Sequence, residues 1–159
     1  MIKISDYQTI MDTLHGIVQE QTQGITEEES LLQPVNGGNC MRWVVGHLCT
    51  NLESILDVLG VEVHDTRLDR FDRGSDRLEG DEADILTLAE LLDVYGTLHT
   101  KLVDRLKGMQ PEQFNDNIGT AERPRTRGYM ALFLQFHHSY HVGQLELLRN
   151  LAGHTEKLI

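Results

Sequence analysis

The chain has 159 residues, and its 14 Lys and Arg against 25 Asp and Glu leave a formal charge of −11 with eight His uncounted. That length suits one domain able to bury a sizeable core, and a composition 40% hydrophobic and 25% charged excludes the disordered, collagen-like and disulfide-dense classes. The excess of carboxylate, with no stretch basic enough to reverse it locally, also excludes nucleic acid as a partner.

Residues 1–6 lack the apolar run and small-residue cleavage site of a secretory signal, so the expected location is the cytoplasm. From residue 4 to 21, apolar side chains fall at Tyr7, Ile10, Leu14 and Ile17, with Ile4, Met11 and Val18 widening the stripe, the 3 and 4 spacing of a bundle helix. Gly24 ends it. Glu27, Glu28 and Glu29 can open a short helical turn before Pro34, and Asn36-Gly37-Gly38 reads as a loop. Asn39 is the expected N-cap of a second long helix, whose stripe runs Val44, Leu48, Leu52, Ile55 and Leu59 and closes at Gly60. Residues 62–84 carry nine acidic and four basic side chains with few apolar ones, an exposed connection too long for a simple helical hairpin.

A third helix is predicted over residues 85–107, with Leu88, Leu92, Tyr95, Leu102 and Leu106 at the core spacing and Gly108 and Pro111 stopping it. A polar linker through Gly119 and Pro124 leads to Thr126, the candidate N-cap of the last and most apolar helix, residues 127–151, which Gly153 ends. Residues 128–145 lack Asp, Glu, Lys and Arg, but three His, two Gln and a Ser make this stretch unfit to span a membrane. Residues 1–159 thus read as a single all-α domain, a four-helix bundle with long crossover connections.

The last helix holds the most informative residues. Its stripe can be followed as Met130, Leu134, His137, His141, Leu145 and Leu148, so two histidines stand where a bundle wants Leu. Their separation of one turn, about 6 Å along the axis and about 40° around it, lets both imidazoles project to one point. Helical zinc motifs grip their ion with this spacing, and a shared cation would offset the cost of burying two unpaired imidazoles. His47, at the edge of the second helix's stripe, is the third candidate ligand. Three neutral imidazoles suffice for a catalytic site with open positions. Asn51, Tyr140 and Gln144 are the candidate pocket residues for a small-molecule substrate, and His99, on the third helix's stripe, is the reserve ligand.

The remaining candidates have plainer readings. His138 falls off the stripe and is expected to support a ligand or face solvent; His15, His64 and His154 are expected at the surface. Cys40 and Cys49 match neither a C-x-x-C motif nor a disulfide framework and read as free thiols, Cys49 in the core and Cys40 at a helix N-terminus that lowers its pKa. Arg123, Arg125 and Arg127 form a solvated loop or an anchor for an acidic substrate group. A di-iron bundle would need Glu-x-x-His motifs, and Leu134 and His138 stand where those glutamates belong.

Two segments also resemble a known family. Arg42-Trp43-Val44-Val45-Gly46-His47-Leu48 resembles the W-x-x-G-H stretch in the second helix of DinB-like proteins. His137-His138-Ser139-Tyr140-His141-Val142-Gly143-Gln144-Leu145 resembles the H-x-x-x-H-x-G-Q signature of their last helix. Order, spacing and length agree over essentially the whole chain. The resemblance implies a four-helix bundle with a crossover, a divalent metal such as zinc or nickel held by His47, His137 and His141, and frequently a homodimer. Characterised relatives include metal-dependent S-transferases that use low-molecular-weight thiols such as bacillithiol or mycothiol. One departure is Val142, where the family often has Arg after the last His, which changes the pocket wall.

The leading expectation is therefore a metal-dependent enzyme that transfers a thiol cosubstrate. A hydrolase using water activated by the metal is the alternative within the enzymes, and a non-enzymatic metal-binding bundle is the alternative outside them.

Overall fold

Local signals place most of the helix ends in the structure, a computed structural model that describes residues 3–82 and 84–156. Helix α1 (Ile4–Thr22) ends ahead of Gly24, whose φ of 77° suits a residue without a Cβ. The short α2 (Glu27–Ser30) opens on a capping box: Thr26 Oγ1 accepts from the Glu29 N–H at 3.2 Å, and the Glu29 carboxylate accepts from the Thr26 N–H at 2.8 Å. Helix α3 (Met41–Val58) follows, then α4 (Leu88–Lys107) and α5 (Arg127–Leu151), with 3-10 turns at Thr66–Phe71 and Pro111–Asn115. Thr126 caps α5 as expected, accepting from the Tyr129 N–H at 3.1 Å.

Two boundaries differ from expectation. The third long helix starts at Leu88 instead of residue 85, because Thr87 and Glu90 form a capping box that closes the helix off there. Cys40, not Asn39, holds the N-cap position of α3, and no side chain caps that end.

Helix α3 lies against both α4 and α5, and α1 packs against the same two, so the ring order is α1, α4, α3, α5. Consecutive long helices α1 and α3, and likewise α4 and α5, are therefore diagonal, which is the crossover topology that long connections allow. Every residue of α3 from Met41 to Cys49 is buried. Burying side chains such as Leu48, Leu52, Ile55 and Leu56 stabilises the fold by about 1.5 to 3 kcal/mol each relative to leaving them in water. Arg42, also buried, donates to the Leu86 carbonyl at 2.7 Å, the Ile85 carbonyl at 3.0 Å and Asp81 at 2.8 Å, clamping the long connection onto α3. Among the described residues no helix is long and apolar enough to cross a membrane.

The register of α5 is rotated from the predicted stripe. Its core-facing line runs Ala131, Gln135, His138, Val142 and Leu145, whereas Met130, Leu134, His137 and His141 are only half-buried. An outer line, Tyr129, Phe133, Phe136, Tyr140 and Leu147, is exposed. With three apolar lines on one helix, periodicity could not choose among them.

Candidate metal centre

The site begins with a missing side chain. A Cβ on Gly46 would lie 2.3 Å from Phe71 Cγ, so only glycine lets the Phe71 ring seat on α3. That seating brings the Phe71 carbonyl to 2.8 Å from His47 Nδ1. A carbonyl only accepts, so Nδ1 carries the proton and Nε2 is left with its lone pair. Trp43, one turn earlier, stacks on the His47 ring at 5.0 Å and 17°, and its Nε1–H donates to Ser75 Oγ at 3.1 Å. One segment of the long connection thus fixes the plane, tautomer and direction of His47.

His137 and His141 arrive from α5. His137 Nε2 lies 3.0 Å from His47 Nε2, and His141 Nδ1 faces Gln144 Oε1 at 2.8 Å, which turns the His141 Nε2 inward. The donor nitrogens of the three rings all lie within 4.8 Å of one another, and among the described residues this is the one such group able to hold a metal ion. Burial pulls the His47 pKa down to about 4, with His141, His137 and the Arg73 guanidinium adding to the effect against the Phe71 carbonyl. Burial also lowers His137, as do His141 and Arg73, and it lowers His141 against the pull of Gln144. All three rings are therefore neutral near pH 7, the form that donates to a metal.

The other sequence candidates fall in different places. Gln144 is at the site, as an orienting partner of His141. Tyr140 is exposed, with its ring edge-on to His141 at 5.2 Å and 85°. Asn51 departs from the expectation of a pocket residue: it is buried, and its Nδ2 donates to the Leu134 carbonyl at 3.2 Å and to His138 Nδ1 at 3.0 Å. His138 is not at the surface but fully buried at the bundle centre, with Nε2 2.9 Å from Tyr95 Oη, because the core line of α5 passes through it.

His99, the reserve ligand, lies away from the group; it stacks on His15 at 4.0 Å and sits 3.0 Å from Asp12. His15 is likewise half-buried instead of exposed, lying against Tyr95 at 5.3 Å. His64 is exposed as expected, and His154 lies 3.3 Å from Glu29. Cys49 is a core residue, and Cys40 is not activated: burial raises its pKa by more than the neighbouring backbone N–H groups and Arg42 lower it. Arg127 is tied to the Val58 carbonyl and lies 3.6 Å from Asp116, while Arg125 sits over the Tyr129 ring at 4.9 Å. Arg127 is ten residues, about 15 Å of helix, from His137, so this cluster is not part of the site.

Nothing in the sequence marks Phe71, Ser75 or Arg73 as site residues. The one available signal was Gly46 inside an apolar helix, which marks a close approach without naming what approaches.

An all-α bundle that gathers three imidazoles from two facing helices defines a class, the helical bundles with a histidine centre in place of a carboxylate one. The model of the DinB superfamily matches residues 12–145, and the chain belongs to that superfamily. Among solved structures it is similar to the conserved protein of locus from Enterococcus faecalis, at a TM-score of 0.73 and 18% identity over 96% of this chain and 98% of that one, a likeness of fold. None of the curated proteins matches it.

Proposed function

We propose that this chain is a metal-dependent enzyme in which His47, His137 and His141 hold one divalent ion, zinc or nickel, and that its reaction transfers a low-molecular-weight thiol to a small-molecule electrophile. The observation that supports it most is the set of three imidazoles turned toward one point, two of them oriented by the Phe71 carbonyl and Gln144. The donor set suits such an ion: three neutral nitrogens and no fourth protein donor among the described residues. When bound, the ion supplies nucleophile activation, by lowering the pKa of a thiol brought to it. The chain's own part is positional. Trp43 and Phe71 fix His47, Gln144 fixes His141, and the half-buried placement of His137 and His141 leaves the centre reachable by small molecules.

Elemental analysis of the purified protein beside a His137→Ala, His141→Ala variant tests the centre. Near-stoichiometric metal in the first and none in the second is expected; equally little in both under metal-replete conditions ends the reading. Comparing thiol conjugation with ester or amide hydrolysis at the same metal then separates transferase from hydrolase, and absence of both turnovers would favour a non-enzymatic metal-binding protein.

The reading includes a cytoplasmic homodimer joined through the outer line of α5. Phe136 and Leu147 are 72% and 71% exposed there, and a Cβ on Gly143 would meet nothing within 4 Å, so a second helix can approach closely. Sedimentation of a Phe136→Glu, Leu147→Glu variant should show a monomer where the unaltered protein sediments as a dimer.

A further inference from the structure

The connection between α3 and α4 is pinned to the histidine centre twice. The Phe71 carbonyl lies 2.8 Å from His47 Nδ1, and Ser75 Oγ accepts from Trp43 Nε1–H at 3.1 Å. Between these anchors the chain makes a tight turn, in which the Ser75 N–H donates to the Asp72 carbonyl at 3.0 Å and Gly74, with φ at 87°, takes the third position. Arg73 is the residue at the tip. Its backbone is held beside the centre by contacts that its own side chain does not make.

That side chain is exposed and has no hydrogen-bond or ion-pair partner among the described residues, whereas Arg67 and Arg70 of the same connection are engaged by Asp65 at 2.6 Å and Glu82 at 2.8 Å. A solvated surface Arg is ordinary, and this one differs in where it stands. Its charge is close enough to lower the pKa of both His47 and His137, while no carboxylate acts on His137 or His141. Its neighbour Asp72 lines an acidic cleft with Glu53, Asp57 and Glu62 instead. In a chain of charge −11, whose field repels anions, the edge of the centre is thus locally positive.

A guanidinium that the fold does not use offers its fork of donors to a ligand. One fork matches the two oxygens and single charge of a carboxylate. A phosphate dianion would call for a second cation, and Arg73 is the one Lys or Arg acting on His137, with none acting on His141. We propose that Arg73 determines the specificity of the centre by pairing with a carboxylate on the small molecule whose reacting group goes to the three histidines, so that the site selects acidic substrates. This inference rests on the metal-dependent reading above and names the substrate class for it.

Cobalt-substituted protein titrated with 3-mercaptopropionate and 6-mercaptohexanoate, each beside its neutral amide, tests this by visible absorption. The preference is read as the ratio of the Kd of the amide to that of the acid, and comparing this ratio between proteins cancels the thiols' own differences. Arg73→Gln should fold like the unaltered protein, bind the amides as before and lose about three- to tenfold of the preference for at least one acid; Arg73→Lys should lose less. Arg77→Gln removes the same charge from an exposed position of the same connection and should leave the ratio unchanged. Equal ratios in the unaltered protein and Arg73→Gln, or an equal loss in Arg77→Gln, would overturn the proposal while leaving the metal-dependent reading in place. Cobalt that fails to load, or a spectrum that no thiol moves, would instead end that reading, and this inference with it.

Discussion

The interior and the edge of the bundle use the same side chain to opposite ends. His138 sits at the centre with both ring nitrogens engaged, Nδ1 by Asn51 and Nε2 by Tyr95, and burial pulls its pKa down to about 3. His47 and His141 also have lowered pKa values, but each spends only Nδ1 on the protein and turns Nε2 toward the other rings. Burial and a depressed pKa therefore do not distinguish a candidate ligand from a structural histidine. What does is an uncommitted nitrogen whose ring is fixed through the other one.

The largest effects should separate these two uses. His141→Ala should remove bound metal and, compared with the metal-free unaltered protein, barely lower the melting temperature. His138→Ala should do the reverse, costing about 3 kcal/mol or more in denaturant unfolding, because it leaves Asn51 and Tyr95 unpaired around a cavity. If the two variants behave alike, the distinction fails.

Gly46→Ala sits between the two. Its Cβ has no room beside Phe71, so it should cost about 1 to 3 kcal/mol and also weaken metal binding by displacing the carbonyl that holds His47. A smaller effect is expected from Gln144→Ala, which touches no core: about 10- to 100-fold lower metal affinity, read by chelator competition, at unchanged stability of the metal-free protein.

The smallest effect concerns the stacked pair His15 and His99. Burial lowers the pKa of both; His99 lowers His15 further, while Asp12 opposes both shifts. The unfolded chain takes up protons at these rings as pH falls through about 6.5 and the fold resists until lower pH. Their contribution is thus intact above about 6.5 and is lost as pH drops below it. Thermal melts from pH 7.5 to 5 should show this slope, and His99→Phe should flatten it.

The helices were legible because their apolar spacings, glycine stops and Thr caps are local signals. The His137 and His141 pair was legible for the same reason, one turn being a local distance. The place of His138 is not legible locally, because α5 carries three apolar lines, and which one faces inward is decided by packing against Tyr95 and Asn51, contacts 43 and 87 residues away in the chain. Phe71 was invisible for a related cause: its role is played by a backbone carbonyl, which no residue type announces.

The Phe71 anchor also makes the acidic connection a structural part of the centre. Anything that loosens Phe71 from Gly46 frees the His47 ring, and anything that holds His47 in place holds Phe71 down. On the metal-dependent reading proposed above, the connection would gauge occupancy: by linkage, metal loading should slow proteolytic cutting within residues 62–82, and sequence drift in that stretch should retune metal affinity without altering any of the three histidines.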